Sequence, residues 1–285
     1  MRYSQLRAFH NVALHGGFSR AAEVLNQTQP ALSDQVRNLE QTHDTLLFRR
    51  DRRQVRLTQA GEGLFLLTKQ FFEVEKGIGE YLDRSRAAIA GTLRIIADSA
   101  LHITTAISRF REAHPKVFVS VRTGNTEEVL QRLRNYDAEI GVVGNLSNAS
   151  DLETVELGCT PIIAITASGY LPTNVPALEL CDLRNWPLVF RESGSRTRLA
   201  LEAEAGRQGI PIVPAIEVDG REAMREVVAS GAGIGFVSQA EMGDDVRLDA
   251  IPIAGIDLNM TETLVCLSMR RDLSVIRAFM KAVGQ

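Results

Sequence analysis

Residues 49–58 read RRDRRQVRLT, which puts five arginines into ten positions around a tight polar centre. Charges this dense repel one another unless a polyanion lies against them, so their natural work is to hold phosphates. Arg52 and Arg53, at the centre of the run, would grip a nucleic-acid backbone or its minor groove, supplying affinity more than sequence choice. Upstream, Gln29, Ser33 and Arg37 recur at four-residue steps. Gln pairs bidentately with adenine, Arg with guanine, and Ser with either a base or a phosphate. Asp34 is less expected among them; it could accept from a cytosine amine or neutralise a neighbouring Arg. Catalysis has less to draw on. His10, His15 and His43 fall near the basic run, while His102 and His114 have no paired acid or nucleophile pattern beside them. Gly231, Gly233 and Gly235 in SGAGIGF lead into an apolar run, whereas a dinucleotide loop leads out of one. Cys159, Cys181 and Cys266 have no metal-ligand spacing and read as reduced bystanders.

The elements that must position the candidate base readers are helical. Leu6, Phe9 and Ala13 recur at helical spacing after Ser4, a candidate N-cap, and Gly16-Gly17 stops the helix. Ser19 could cap a second helix in which Ala21 and Ala22 permit a close crossing. Thr28 then caps a third, with Pro30 tolerated in its first turn, running to about Thr42. There Leu32, Val36 and Leu39 share one face, while Pro30, Ser33, Asp34 and Arg37 lie opposite at about 100° per residue. A short helix, a tight turn and a polar-faced helix form the arrangement that enters a major groove. The same spacing would suit three surface helices of a bundle, with Arg37 merely solvated. Against that, Val55 and Leu57 alternate with polar residues as in a hairpin, so the basic run reads as a wing beside the recognition helix.

Charge distribution agrees. The chain has 285 residues and a net charge of −3, but residues 1–60 hold nine Arg against five acids, so a basic head precedes an acidic body. Length suits two domains. No stretch approaches the roughly 20 apolar residues of a membrane span, and MRYSQLRAFH has no apolar secretion core, so no membrane partner and a cytoplasmic location are expected.

The stretch FSRAAEVLNQTQPALSDQVRNLEQTHDTLLFRRDRRQVRLTQAGEGL resembles the signature of LysR-type transcriptional regulators. The double Ala, Gln-Pro-Ala-Leu-Ser, Leu-Glu, Leu-Phe-Arg and Leu-Thr-x-x-Gly elements stand here as Ala21-Ala22, Gln29 to Ser33, Leu39-Glu40, Leu47-Phe48-Arg49 and Leu57 to Gly61. One position departs: His43-Asp44 replaces the usual Leu-Gly, and Asp can adopt the left-handed conformation that Gly supplies. From Ala60, Leu64, Leu67, Phe71, Val74, Ile78, Tyr81, Ser85 and Ala88 follow at alternating four- and three-residue steps, a heptad seam. A helix packed on its own domain would share this pattern. Dimerisation is favoured because a two-fold DNA reader needs two heads, and the family's dimers commonly pair into tetramers.

Beyond Gly91, short apolar runs alternate with helical ones, as in an α/β domain. Strands are expected at 93–97, 117–122, 138–143, 161–166, 187–190, 215–218, 233–237 and 261–268, with helices near 100–113, 126–135, 195–208, 220–230 and 273–283. The resemblance implies a two-lobed effector domain like periplasmic solute-binding proteins. The expected fold is therefore α/β with an all-α winged helix-turn-helix head. Its divisions are the head at 1–58, a dimerisation linker helix at 59–90 and the effector domain at 91–285. Lobe I takes about 91–161 and 268–285, and lobe II about 162–267.

Ligands of such lobes sit beyond the carboxyl ends of strands, at helix starts. Three segments qualify: Asp98, Ser99 and His102; Asn125 and Thr126; and Ser193, Ser195, Arg196 and Thr197. Hydroxyls, a helix start and Arg196 suit an organic anion, although Ser195 or Thr197 could equally cap its own helix. Asp98 would welcome an amine and so hints at a zwitterion, unless it only pairs with an Arg. The opening residues resemble the subgroup associated with aminoethylphosphonate breakdown; a sugar acid, amino acid or aromatic acid would fit the same features. The expected protein is a sequence-specific, effector-controlled regulator and not an enzyme. It needs no cofactor or metal, and its partners are an operator duplex, a second copy of itself and, by resemblance, RNA polymerase. A solute-binding protein without a transcriptional role is the alternative, but it leaves the basic wing unexplained.

Overall fold

The computed structural model describes residues 1–51, 54–82, 89–147, 149–172 and 175–284. It divides into two compact units, 1–84 and 85–285.

In the first unit α1 (Tyr3–His15), α2 (Phe18–Leu25) and α3 (Gln29–Thr42) precede a hairpin of β1 (Phe48–Asp51) and β2 (Gln54–Leu57), then α4 (Gln59–Leu82). Phe9, Ala21, Ala22, Leu32, Val36 and Phe48 close one small core, so the apolar stripes of the three helices meet as their spacing predicts. Helix starts differ from expectation. α1 begins after Arg2, whose N–H donates to Gln5, and α2 begins after Gly17. Ser4 and Ser19 therefore sit inside their first turns, because backbone groups left free at a helix start need no hydroxyl when water reaches them. The Ser19 hydroxyl instead donates to Gln29 Oε1 at 3.2 Å.

Three elements of the sequence signature have visible causes. Thr28 caps α3 by accepting from the Ala31 N–H. Glu40 accepts from the N–H groups of Leu47 and Phe48 at 2.8 and 3.1 Å, fastening the wing to α3. Thr58 accepts from the Gly61 N–H at 3.0 Å, and a Cβ on Gly61 would collide with the Leu47 carbonyl, which explains the glycine. Asp44 takes the left-handed conformation expected of it, with φ 45°.

His10 is buried between α1 and α4, its Nδ1 3.1 Å from Thr68 Oγ1 and its ring against Phe65 and Phe72. Burial, aided by the charge of Lys69, lowers its pKa to about 4. Between that value and the ordinary 6.5 of an exposed His, the unfolded chain binds more protons than the folded one. Stability is therefore full above 6.5 and lost as pH falls towards 4, by roughly 3 kcal/mol. Urea unfolding followed by helical circular dichroism at pH 7 and 4.5 is expected to show this loss in the wild type and a smaller one in His10→Gln. Equal losses would mean that His10 is not the cause.

In the second unit, β3 (Gly91–Ala97) runs through a short 3-10 helix at 100–103 into α5 (Thr104–Ala113). There follow β4 (Val117–Thr123), α6 (Thr126–Arg134), β5 (Ile140–Gly144), β6 (Leu152–Ala167), β7 (Leu178–Glu179), β8 (Leu188–Arg191) and α7 (Arg196–Arg207). β9 (Pro214–Val218), α8 (Arg221–Ala229), β10 (Gly235–Ser238), β11 (Leu248–Ile251), β12 (Ile253–Ala254), β13 (Asn259–Leu267) and α9 (Ser274–Val283) complete it. One lobe stacks β4, β3 and β5 in parallel and adds antiparallel β13 and the first half of β6. α5 and α9 cover one face and α6 the other. The second lobe pairs the later half of β6 with β10 and β11, between α7 on one side and α8 on the other.

β6 thus belongs to both lobes. Its 16 residues begin at Leu152, nine before the expected start, because Pro161 in a strand reads as an interruption. The lobe boundary moves as well. Glu262 to Val265 pair with Gly144 to Gly141 of lobe I, so the chain returns near 259 and not at 268. Leu264 and Cys266 are accordingly core residues of lobe I.

Candidate functional site

On α3 the buried face of Leu32, Val36 and Leu39 leaves Gln29, Pro30, Asp34 and Arg37 exposed and Ser33 half-buried. Gln29, held by Ser19, keeps its amide N–H groups for a partner. In the wing, register pairs Arg49 directly with Arg56, both exposed. Two guanidinium groups on one face of a two-stranded ribbon suit neighbouring phosphates. Arg52 and Arg53 lie outside the described residues.

The second site is the cleft between the lobes, whose walls carry a buried ionic network. Arg191, at the end of β8, donates from Nη1 to Asp98 Oδ1 at 2.8 Å and from Nη2 to Glu192 at 2.8 Å. Arg221, the first residue of α8, lies 3.5 Å from the same Asp98 oxygen and donates to its carbonyl at 3.2 Å. From the other side Arg221 reaches Glu241 at 2.6 Å. His102 Nε2 stands 3.4 Å from Glu241 Oε1 and 3.8 Å from Glu262 Oε1.

Each charge answers to its neighbours. Burial works against the Arg191 charge, but Asp98 and then Glu192 outweigh it and keep the guanidinium protonated. Burial also works against ionised Glu241, yet the bond to His102 and the charge of Arg221 bring its pKa below the usual range. Glu262 differs. Burial, reinforced by the Glu241 charge, pushes it up to about 7. His102 is raised, since Glu241 and Glu262 together overcome the burial that disfavours its cation.

The sequence-predicted residues divide among these walls. Asp98 and Asn125 line a concavity of about 340 Å³ with Arg191, Glu192 and Arg221. Ser193 and Arg196 line a neighbouring one of about 720 Å³ with Gln131 and Arg134. Ser99, His102, Thr126, Ser195 and Thr197 line neither. Asn125 caps α6 by accepting from Glu128 N–H at 3.1 Å, and its side chain abuts Gly194 so closely that a Cβ there would collide. Ser195 is the N-cap residue of α7, but its hydroxyl makes no capping bond, and among the described residues it is buried without a partner. Asp98 is an ion-pair partner of Arg191, so an incoming amine would share it with a guanidinium.

Arg221, Glu241 and Glu262 escaped the sequence reading. Arg221 had a signal, a strand-to-helix junction in VDGRE of the same kind as those at Asp98, Asn125 and Ser193. Glu241 and Glu262 had none, being charged residues far in sequence from the His102 they meet.

Both parts of the chain match families of known proteins. The family model "Bacterial regulatory helix-turn-helix protein, lysR family" matches residues 3–62, and "LysR substrate binding domain" matches 86–285. A RuBisCO operon transcriptional regulator of Allochromatium vinosum is 30% identical over 236 residues, covering 82% of this chain and 78% of the relative. Full-length OxyR of Pseudomonas aeruginosa, in a variant form, shares the fold with a TM-score of 0.80 at 20% identity, over 99% of this chain and 94% of that one. Full-length CbnR complexed with its target DNA aligns with a TM-score of 0.67 at 18% identity, over 100% and 99%.

Proposed function

Because the chain belongs to the LysR family, and is thus a DNA-binding transcriptional regulator under effector control, we propose how its residues divide that work. The head, 1–58, reads an operator through Gln29, Ser33 and Arg37 of α3, with Pro30 and Asp34 beside them. The wing, with Arg49, Arg52, Arg53 and Arg56, holds the flanking phosphates. The observation that carries this reading is the exposed polar face of α3 opposite a fully buried apolar one. Residues 59–90 pair two chains, and dimers join into tetramers that can meet RNA polymerase, all in the cytoplasm.

The effector enters the cleft of 91–285. The wall of the smaller concavity holds carboxylates of Asp98, Glu128, Glu192, Asp219 and Glu222 beside the guanidinium groups of Arg191 and Arg221. Such a mixed wall favours a ligand bearing both charges over a simple anion, which suits an amino-phosphonate such as aminoethylphosphonate. Its binding draws the lobes together, and the linker passes the change to the paired heads.

Mobility shift against the protein's own upstream DNA tests the head. Arg37→Ala is expected to weaken binding by about 1–3 kcal/mol and to relax preference at one base pair. Uniform weakening across all sequences would make Arg37 a phosphate contact. For the cleft, aminoethylphosphonate is compared with ethylphosphonate, which lacks the amine. A raised thermal midpoint and an altered DNA complex with the first alone support a zwitterion; a response to both equally removes the role of the amine.

A further inference from the structure

The strongest unexplained feature is the carboxylate of Glu262. Its residue is only 3% exposed, and its Oε2 is buried with no hydrogen-bond partner among the described residues. A buried oxygen of a carboxylate left bare is costly, and structures keep one where something completes it. Around it, one ligand atom each from His102, Glu241 and Glu262 lies within 4.8 Å of the others. Two of these separations, 3.4 and 3.8 Å, are close to the roughly 3.4 Å edge of a tetrahedron with metal–ligand bonds near 2.1 Å.

We propose that His102, Glu241 and Glu262 form a binding site for a divalent transition-metal ion. One imidazole and two carboxylates are a donor set for Zn2+, Mn2+ or Fe2+; a site for Mg2+ or Ca2+ would be all oxygen. The ion would add positive charge beside Glu262, whose Oε2 has no hydrogen-bond partner among the described residues although His102 and Arg221 stand in the same cluster. Arg221, which holds Glu241 at 2.6 Å, keeps a second anchor on Asp98 when Glu241 turns to the metal. Three protein ligands leave a fourth position, open to water or to an oxyanion in the cleft. The ligands come from the 3-10 helix at 100–103, the turn after β10, and β13, so they span both lobes and the strand that returns between them. Occupation therefore ties the lobes together. This site does not depend on the organic-effector reading.

Chelator-treated full-length protein is dialysed against Zn2+ and the bound metal counted, with Co2+ absorption reporting coordination. The expected result is one ion per chain at micromolar affinity or tighter, with the absorption of a four-coordinate site and a raised thermal midpoint. His102→Ala and Glu262→Gln each weaken binding at least tenfold, and Glu262→Gln, nearly identical in shape, leaves the metal-free circular dichroism unchanged. Binding only at millimolar metal, or binding that Glu262→Gln leaves intact, would overturn the site and leave the cluster as an ion-pair clasp. Operator binding measured alongside stays as in the wild type in the metal-free state, so failure of the site and failure of the DNA reading separate cleanly.

Discussion

Replacing Val74 and Ile78 together by Asp is expected to yield a folded chain that no longer pairs and that loses selective operator binding by two to four orders of magnitude. α4 carries Leu67, Phe71, Val74 and Ile78 at heptad steps, with exposures of 62, 45, 51 and 57%. A 24-residue helix with such a row open to water has an unburied seam. Val74 and Ile78 are absent from the head core, which consists of residues of α1–α3 and the wing with Leu64 and Phe65 packed beside them. Two acids on each facing helix would bury four charges, far above what a dimer interface sustains. One head then binds alone, and the avidity of about 10²–10⁴ from tethering two is gone. Sedimentation and mobility shift together check this. A variant that still sediments as the wild type would show that the seam packs on something other than a second copy.

The second large effect is expected in the cleft. Arg191→Ala removes the closest partner of Asp98 and strands a carboxylate whose side chain is 6% exposed, which should cost about 3–5 kcal/mol. Trp186, the single tryptophan, lies five residues away and reports unfolding of this unit by fluorescence. A double variant, Arg191→Met with Asp98→Leu, removes both charges and should recover most of the loss. If the single variant costs under 1 kcal/mol, Arg221, at 3.5 Å, already suffices for Asp98.

The head was legible because its signals are local. Thr28, Pro30 and Asp44 each do their work within a few residues of themselves, Gly61 bonds to nearby Thr58 while making room for the Leu47 carbonyl, and α3 shows its two faces in the spacing of Leu32, Val36 and Leu39. Ser4 and Ser19 misled because a capping type in the right place is no guarantee that its helix begins there. In the body, helices and parallel strands followed their periodicities, whereas β6 did not: the expected strand began at Pro161, but the strand starts at Leu152, and its first half alternates between half-buried and exposed positions before the buried run from Ile162. The cleft was half legible. Helix starts pointed to Asp98, Asn125 and Ser193, but the partners that neutralise the interior, Arg221, Glu241 and Glu262, look in sequence like surface charges. Only the fold brings His102 to Glu241 across 139 residues.

The return of β13 into the first lobe also sets an order of events during synthesis. Leu264, Cys266, Ile276 and Phe279 complete a core begun by Leu93 and Ile95, so this lobe cannot close until Phe279 has left the ribosome. The head holds every residue of its own core within the first 65. A DNA reader is thus finished while its sensor is still being made, as folding from the N-terminus favours. Chains cut short before residue 259 would keep the head and α4 but lack the strand and helix that complete the sensor. Such fragments would compete for operators, and for full-length partners, without answering to the effector.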